Sequence, residues 1–425
     1  MLDLKLIRSS PEAVVEMLKK RGSDPSVVDE VLRLDQERRS LLVETEERKA
    51  RRNAASEEIA ALKRKGEDAA ELVEQMRRLS EEIKGLDAQL AEVEAELNRL
   101  LLTIPNMLHP SVPPGDSDDD NVEVRRWGEQ PTFDFPPRPH WEVGEALDIL
   151  DFRRATRMSG ARFTLLKGQG ALLERVLISF MLDLHTREHG YVEFFPPLLV
   201  TEDAMTGTGQ LPKFDQDLFR TREGLYLIPT AEVPVTNIHR EEVLPFEKLP
   251  LHYTAYTPCF RYEAGSAGQE SRGLIRQHQF NKVELVKIVA PESSYDELES
   301  LVADAEEVLK RLKIAYRVVS VCAAETGFAC TKKYDIEAWM PGMGKYVEVS
   351  SCSSFEDFQA RRAKMRFRRA AGSPPEFVHT LNGSGLAVGR TMAALLENYQ
   401  QGDGSVLVPE ALQSYMHGLK TITGG

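Results

Sequence analysis

An α+β fold preceded by an antiparallel two-helix coiled-coil arm is the class that this 425-residue sequence predicts. Three observations predict it. Residues 27–103 contain no proline and carry apolar side chains at alternating steps of four and three, the seam of paired helices. Beyond about residue 160, short alternating segments arrive as hairpins with amphipathic stretches between them. Strands that follow one another in this way favour a mostly antiparallel sheet flanked by helices over a βαβ array.

The composition sets the outer bounds. Hydrophobic residues make up 42% of the chain, ample for a core, and two or three domains are expected at this length. The formal net charge of -13 speaks against non-specific coating of nucleic acid, while a local basic patch stays open. The four cysteines, Cys259, Cys322, Cys330 and Cys352, form no CxxC pair. Neither a structural zinc site nor a disulfide framework is therefore indicated, and a reducing compartment is expected. The opening MLDLKLIRSSPEAVVEMLKKRG is charged throughout, and ALLERVLISFMLDLHTREHG is interrupted by Glu174, Arg175 and Asp183. No signal peptide and no membrane span are expected, so the location should be cytoplasmic.

In the arm, the stronger seam runs through Leu72, Met76, Leu79, Ile83, Leu86, Leu90, Val93, Leu97 and Leu100. A weaker one runs through Val27, Val31, Leu34, Leu41, Ala55, Ile59 and Leu62, with Arg38, Thr45, Arg48 and Arg52 at its intermediate positions. Gly66, in KRKGEDA, suits a helix end, so the chain should fold back at residues 65–68. Each helix would be roughly 55 Å long at about 1.5 Å per residue. Residues 48–84 hold ten basic against eight acidic residues, whereas segments 28–47 and 85–103 together hold four against eleven. The outer half is slightly positive, with clusters at Arg48, Lys49, Arg51, Arg52 and at Lys63, Arg64, Lys65. A solvated or dimerising rod and a phosphate-binding tip both fit this pattern.

TIPNMLHPSVPPGDSDDDN, residues 103–121, is rich in proline and acid and ends the arm. Residues 104–135 are expected as a linker between an N-terminal domain of residues 1–103, with the arm at about 27–103, and a large domain of residues 136–425. In the large domain, residues 171–190 read as an amphipathic helix, YVEFFPPLLV as an extended segment and LHYTAYTPCFRYE as a strand up to Glu263. LIRQHQFNKVELVKIV reads as the returning strand, joined to the last by a glycine-rich loop. SYDELESLVADAEEVLKRL is a helix, and YRVVSVCA, KYDIEAWM and KYVEVSSC are strands of a meander. GLAVGRTMAALLENYQ begins with glycine and continues as a helix.

CFRYEAGSAGQESRGLIRQHQF, residues 259–280, gathers Arg261, Arg272 and Arg276 near Glu263 and Glu270, around Gly265, Gly268 and Gly273. Arg261 and Arg276 are placed on strands beside Phe260, Tyr262 and Phe280, and Arg390 at the start of an apolar helix. Guanidinium groups present a planar fork to phosphate or carboxylate oxygens, and partial burial without an anion is unfavourable. Local ion pairs, such as Arg261 with Glu263, are one reading. A nucleoside triphosphate that brings its own charge is the other. GxxxxGK[ST] is absent, as is GxGxxG at a strand–helix turn.

FRYEAGS…SRGLIRQHQF resembles the second signature of the class II aminoacyl-tRNA synthetases, GLAVGRTMAALLENYQ the third, and GARFTLLKGQGALLERVLISFMLDLHTREHGYVEFFPPLLV the first. TGTGQLPKF, LIPTAEVPVTN, VEVSSCSSFEDFQARR and HTLNGSGLAVGRT, with the arm and the MLDLKLIR start, are similar to the bacterial-type seryl-tRNA synthetase family over nearly the whole chain. The generic arginine signatures are moderately specific; TAEVP with HTLNGSG and the arm makes the resemblance strong. It implies activation of L-serine by ATP to seryl-adenylate and pyrophosphate, then transfer to the 3′ end of serine tRNA, with selenocysteine tRNA an open second acceptor. Neither step needs an enzyme nucleophile.

Carried over residue by residue, the resemblance implies Arg261, Arg276 and Arg390 as the catalytic cations. Arg261 would bridge the α-phosphate and the serine carboxylate, Arg276 would meet the outer phosphates and Arg390 the γ-phosphate. It implies Glu263 facing the adenine amino group, Phe280 stacked on the ring, and Tyr262, Gln277, Val349 and Ser350 in the same ATP site. Glu348 and Ser351 would contact Mg²⁺ and phosphate, and Thr230, Ala231, Glu232, Arg261, Glu284, Asn382 and Ser384 would hold serine. A homodimer through the first-signature helix is implied, as is an arm that grips tRNA. Tyr262 departs from the small residue often found there, and its side chain is expected to point away from the nucleotide. Two other readings exist. A synthetase-like paralogue that activates a small amino acid for a carrier protein would typically lack the arm. A coiled-coil scaffold would leave the arginine-rich hairpin and TAEVP unexplained.

Overall fold

The computed structural model describes residues 1–264 and 272–424; Gly265, Gly268 and Glu270 of the glycine-rich loop lie outside the described residues. Two compact units are present: residues 2–105, and residues 106–425 together with Met1.

The first unit opens with α1 (Leu4–Ser9) and α2 (Pro11–Lys20), followed by the long helices α3 (Val27–Lys65) and α4 (Ala70–Leu101). Every position of both expected seams is buried or half-buried, including Arg38, Thr45, Arg48 and Arg52. Cross-helix pairs flank the seam: Arg48 with Glu82 at 3.1 Å and Lys49 with Asp87 at 3.2 Å. The turn forms for a local reason. Gly66 takes φ +74°, its N–H donates to Lys63 O, and the Glu67 N–H donates to Leu62 O. This pair of bonds satisfies carbonyls left over at a helix end, and a side chain at Gly66 would strain the left-handed backbone.

The second unit is built on an eight-stranded sheet. In chain order its strands are β1 (Val122–Trp127), β2 (Val192–Glu193), β3 (Leu251–Phe260), β4 (Gln279–Val289), β5 (Tyr316–Ser320), β6 (Lys332–Met340), β7 (Lys345–Glu356) and β8 (His379–Ala387). Their spatial order is β1-β5-β6-β7-β8-β4-β3-β2, antiparallel throughout except for the β2–β3 pair. The helices used below are α5 (Gln169–Arg187), α6 (Glu232–Thr236), α7 (Ser294–Arg311), α8 (Phe358–Ala363) and α9 (Val388–Asn398).

Helices cover one face of the sheet. Leu173, Leu177 and Met181 of α5, Leu298, Leu301 and Leu309 of α7, and Met392 and Leu395 of α9 share one core with Val283, Leu285, Ile336 and Leu381 of the strands. The three-and-four spacing of these helical residues makes one apolar face, and the alternate strand residues meet it.

Four expectations about elements need correction. The segment 104–135 is not a linker from Asn106 onward. The Asn106 amide donates to Ala329 O at 3.0 Å and Phe355 O at 2.8 Å, and β1 pairs with β5 at the sheet edge. The first strand of the arginine hairpin stops at Phe260, so Arg261, Tyr262 and Glu263 lie beyond it; Glu263 has φ +53°. The second begins only at Gln279, which leaves Arg276 in the loop. Gly385, Leu386 and Ala387 are the last residues of β8 rather than the start of a helix, and α9 begins at Val388.

Candidate active site

Successive side chains of a strand point to opposite faces. Along β4, Val283 and Leu285 enter the helix-packed core, so Phe280, Lys282 and Glu284 face the other way, into a cavity of about 760 Å³. This volume is ample for a nucleotide-sized ligand. On the neighbouring strand Ser384 pairs with Glu284, and Asn382 and Ser384 line the same cavity. Between them Gly383 lies against β7: a Cβ there would come within 2.7 Å of Cys352 Sγ, so only glycine permits this approach.

The cavity brings together nearly all the residues singled out in the sequence. Arg261, Glu263, Arg276, Gln277, Phe280, Glu348, Val349, Ser351 and Arg390 line it, as do Thr230, Glu232, Glu284, Asn382 and Ser384. Tyr262, Ala231 and Ser350 do not. Tyr262 is 54% exposed and packs edge-on against Phe219, because it lies past the end of β3. Ala231 is buried in a core cluster, and Ser350 donates its hydroxyl to Ser384 O at 2.7 Å. Arg272 also stands apart, with its guanidinium 5.1 Å from the ring centre of Trp141.

The three arginines reach the cavity from different segments. Arg261 donates from Nε to Pro229 O at 3.2 Å and lies 5.1 Å from the centre of the Phe280 ring. Arg276 pairs with Glu263 at 3.1 Å and is 41% exposed. Arg390, on the first turn of α9, donates to Ile275 O and to the Glu348 carbonyl, and pairs with the Glu348 carboxylate at 3.2 Å. Among the described residues, Arg276 and Arg390 carry a carboxylate partner, and both carboxylates belong to the cavity wall.

A bulge in β7 shapes the wall opposite. Glu337 pairs with Glu348 and Ile336 with Ser350, which leaves Val349 as an extra residue. In a regular strand Glu348 and Ser351, three positions apart, would point to opposite faces; the bulge brings them to one, with Ser351 Oγ 3.4 Å from Glu348 Oε1. Desolvation pushes Glu348 up, but Arg390, Lys333, Arg261 and the Ser351 hydrogen bond together offset it and hold the carboxyl below its ordinary range. Beneath it, Asp335 is pushed up to about 7 by burial, against the pull of Lys333.

Beside the arginines lies a smaller polar recess. Lys282, which sequence reasoning passed over, pairs with Glu284 and donates to Thr230 Oγ1 at 2.9 Å. The Asn382 amide donates to Glu284 Oε1 at 2.7 Å. Glu232 is held by the amide of Gln359, on α8, at 2.6 Å; Gln359 itself accepts from the Thr380 hydroxyl at 2.7 Å. Burial, then repulsion from Glu284, pushes Glu232 up to about 7, against the hydrogen bond from Gln359 and the charges of Lys282 and Arg261. A signal for Lys282 was present in the sequence, since it sits at the alternate position between Phe280 and Glu284. Gln359 had none, because it reaches the site from a distant helix.

Glu348 and Ser351 offer hard oxygen atoms in one wall, a donor set suited to Mg²⁺, which typically takes one or two carboxylates and completes its shell with water and phosphate. Among the described residues, no group of three or more His, Cys, Asp or Glu side chains is arranged as a metal site, and no helix is long and apolar enough to cross a membrane.

Comparison with known proteins identifies the family. The family model of the tRNA synthetase class II core domain (G, H, P, S and T) matches residues 213–399, and that of the seryl-tRNA synthetase N-terminal domain matches residues 1–108. The sheet, its cavity and the core-domain match define a class II tRNA synthetase core. A serine–tRNA ligase of Carboxydothermus hydrogenoformans is 62% identical over 98% of both chains. The solved seryl-tRNA synthetase of Pyrococcus horikoshii, complexed with ATP, is 39% identical with a TM-score of 0.94 and full coverage of both chains. The cytoplasmic serine–tRNA ligase of Naegleria fowleri, in complex with AMP, is 31% identical with a TM-score of 0.88, covering 100% of this chain and 99% of the other. The chain belongs to the seryl-tRNA synthetase family.

Proposed function

We propose that this protein is a serine–tRNA ligase that activates L-serine with ATP and transfers the seryl group to the 3′ end of serine tRNA. The observation that carries this reading is the convergence of Arg261, Arg276 and Arg390 on one cavity that adjoins the recess of Thr230, Glu232, Glu284 and Asn382. In the first step the serine carboxylate attacks the α-phosphorus and pyrophosphate leaves. The carboxylate is already ionised, so no general base is required; in-line placement and charge compensation supply the rate.

Arg261 spans the α-phosphate and the serine carboxylate. Phe280 provides the face on which adenine stacks. Glu263 takes the adenine amino group, Arg276 the outer phosphates and Arg390 the γ-phosphate. Glu348 and Ser351 would hold Mg²⁺, which, when bound, adds positive charge beside the phosphate oxygens. Glu232 accepts from the serine ammonium and Glu284 from its hydroxyl, while Asn382 holds Glu284 in place. Ser384, paired with Glu284 across β8 and β4, closes the recess against larger side chains.

The family likeness of residues 1–108 supports tRNA binding through the arm. Its exposed cations at Lys63, Arg64 and Lys65 suit a phosphate backbone. Exchange of labelled pyrophosphate into ATP, screened with each of the twenty amino acids, tests the reading. Serine alone is expected to support exchange, and Arg261→Ala to reduce it at least about a thousandfold. Exchange at the normal rate in that variant removes the role given to Arg261.

A further inference from the structure

Thr230 Oγ1 accepts two hydrogen bonds, one from Lys282 Nζ at 2.9 Å and one from the Glu232 N–H at 3.2 Å. A hydroxyl has two lone pairs and one proton. With both lone pairs occupied, the Thr230 proton can only be donated, and Thr230 lines the cavity. The same ammonium pairs with Glu284 Oε2, whose other oxygen is held by the Asn382 amide. With an ammonium on one oxygen and an amide N–H on the other, Glu284 faces the same recess as an acceptor. Lys282, Glu284 and Thr230 are all buried, so these roles are not averaged away by water.

We infer that Lys282 is a positioning residue that sets the hydrogen-bond polarity of the amino-acid recess, fixing Thr230 as a donor and Glu284 as an acceptor so that the recess matches a hydroxyl-bearing side chain. A hydroxyl both donates and accepts. It satisfies one fixed donor and one fixed acceptor together, whereas alanine leaves both unpaired in a buried site. Lysine suits this task because its three ammonium protons point in different directions from a single charge. Its place at the second residue before Glu284 on β4 puts it on the cavity face.

The inference rests on the serine-activating reading, so wild-type exchange is measured first: no serine-dependent exchange there overturns that reading and the inference with it. With the wild type active, Lys282→Met is expected to raise the serine KM roughly 30-fold or more and leave the ATP KM within about twofold. Thr230→Val should cost roughly tenfold in serine kcat/KM in the wild type but less than about threefold in the Lys282→Met background, because the donor is no longer fixed. The Lys282 charge also lowers the Glu232 pKa, so its loss should move the acid limb of serine kcat/KM to higher pH. A merely structural lysine would move none of these selectively. Equal rises in both KM values, an undiminished Thr230→Val effect in the double variant, or an unmoved acid limb overturns the assignment. Should Lys282→Met fail to fold, Lys282→Gln decides: it keeps a donor to Thr230, so the Thr230→Val effect should persist while the acid limb still shifts upward, and an unmoved limb overturns the inference.

Discussion

Glu232 shows how one buried carboxyl ties the recess to pH. Its pKa is pushed up to about 7, first by burial and then by Glu284. A carboxyl raised in this way is mostly protonated below about pH 7, and the ionised form predominates only above it. In the role proposed for Glu232, the serine ammonium needs the ionised form, so serine kcat/KM should fall with acidification, by about eightfold between pH 7.5 and 6. Pyrophosphate exchange across this range checks it, and Glu232→Gln should abolish the slope along with most of the affinity. A slope that persists in Glu232→Gln assigns the titration to another group. The arginines show a second residue-scale point. Their composition and spacing left local ion pairs and an anion site both open in the sequence, and the fold shows carboxylate partners for Arg276 and Arg390 that are themselves wall residues. Under the proposed roles, ligand phosphates have to join or replace these pairs, which makes Glu263 and Glu348 part of the binding equilibrium.

The arm is the element most legible from the sequence. Its seam is continuous in the chain, and its turn depends on one glycine, whose backbone bonds close the end of α3. Arg48 and Lys49 nevertheless face carboxylates of α4 and hold the hairpin together. Lys63, Arg64 and Lys65 stay exposed at the turn. Removing residues 35–95 should leave serine-dependent exchange within about threefold of the wild type while reducing aminoacylation of serine tRNA at least a hundredfold. Equal loss of both activities would argue that the arm is no separate tRNA device. The catalytic strands were less legible at their ends. Arg261 and Arg276 lie outside β3 and β4 because loop geometry, not strand alternation, aims them. The Val349 bulge was likewise hidden, since an extra residue in one strand is defined only by its partner.

At the scale of the whole molecule, the resemblance implies a homodimer through the first-signature helix, α5, and we propose that the apolar segment just beyond that helix contributes to the interface. In that segment Phe195 is 89% exposed, Val192 55% and Leu199 45%, and among the described residues β2 is the last strand of the sheet. Light scattering should give about twice the 47.8 kDa chain mass for the wild type, and Phe195→Asp should shift it toward one. A wild-type monomer would remove the proposed interface. By itself, the sequence determined the arm, the α+β class and most of the cavity's chemistry, because heptad spacing, strand alternation and signature residues are written in neighbouring positions. Only the tertiary structure decided that β1 is a strand at all. VEVRRW buries no side chain, and it is held by pairing with β5, by Arg125 on Glu306 and by Trp127 stacked on Tyr316. It decided equally that Lys282, Thr230 and Gln359 meet. Contacts between residues far apart in the chain follow from packing, which no local pattern encodes.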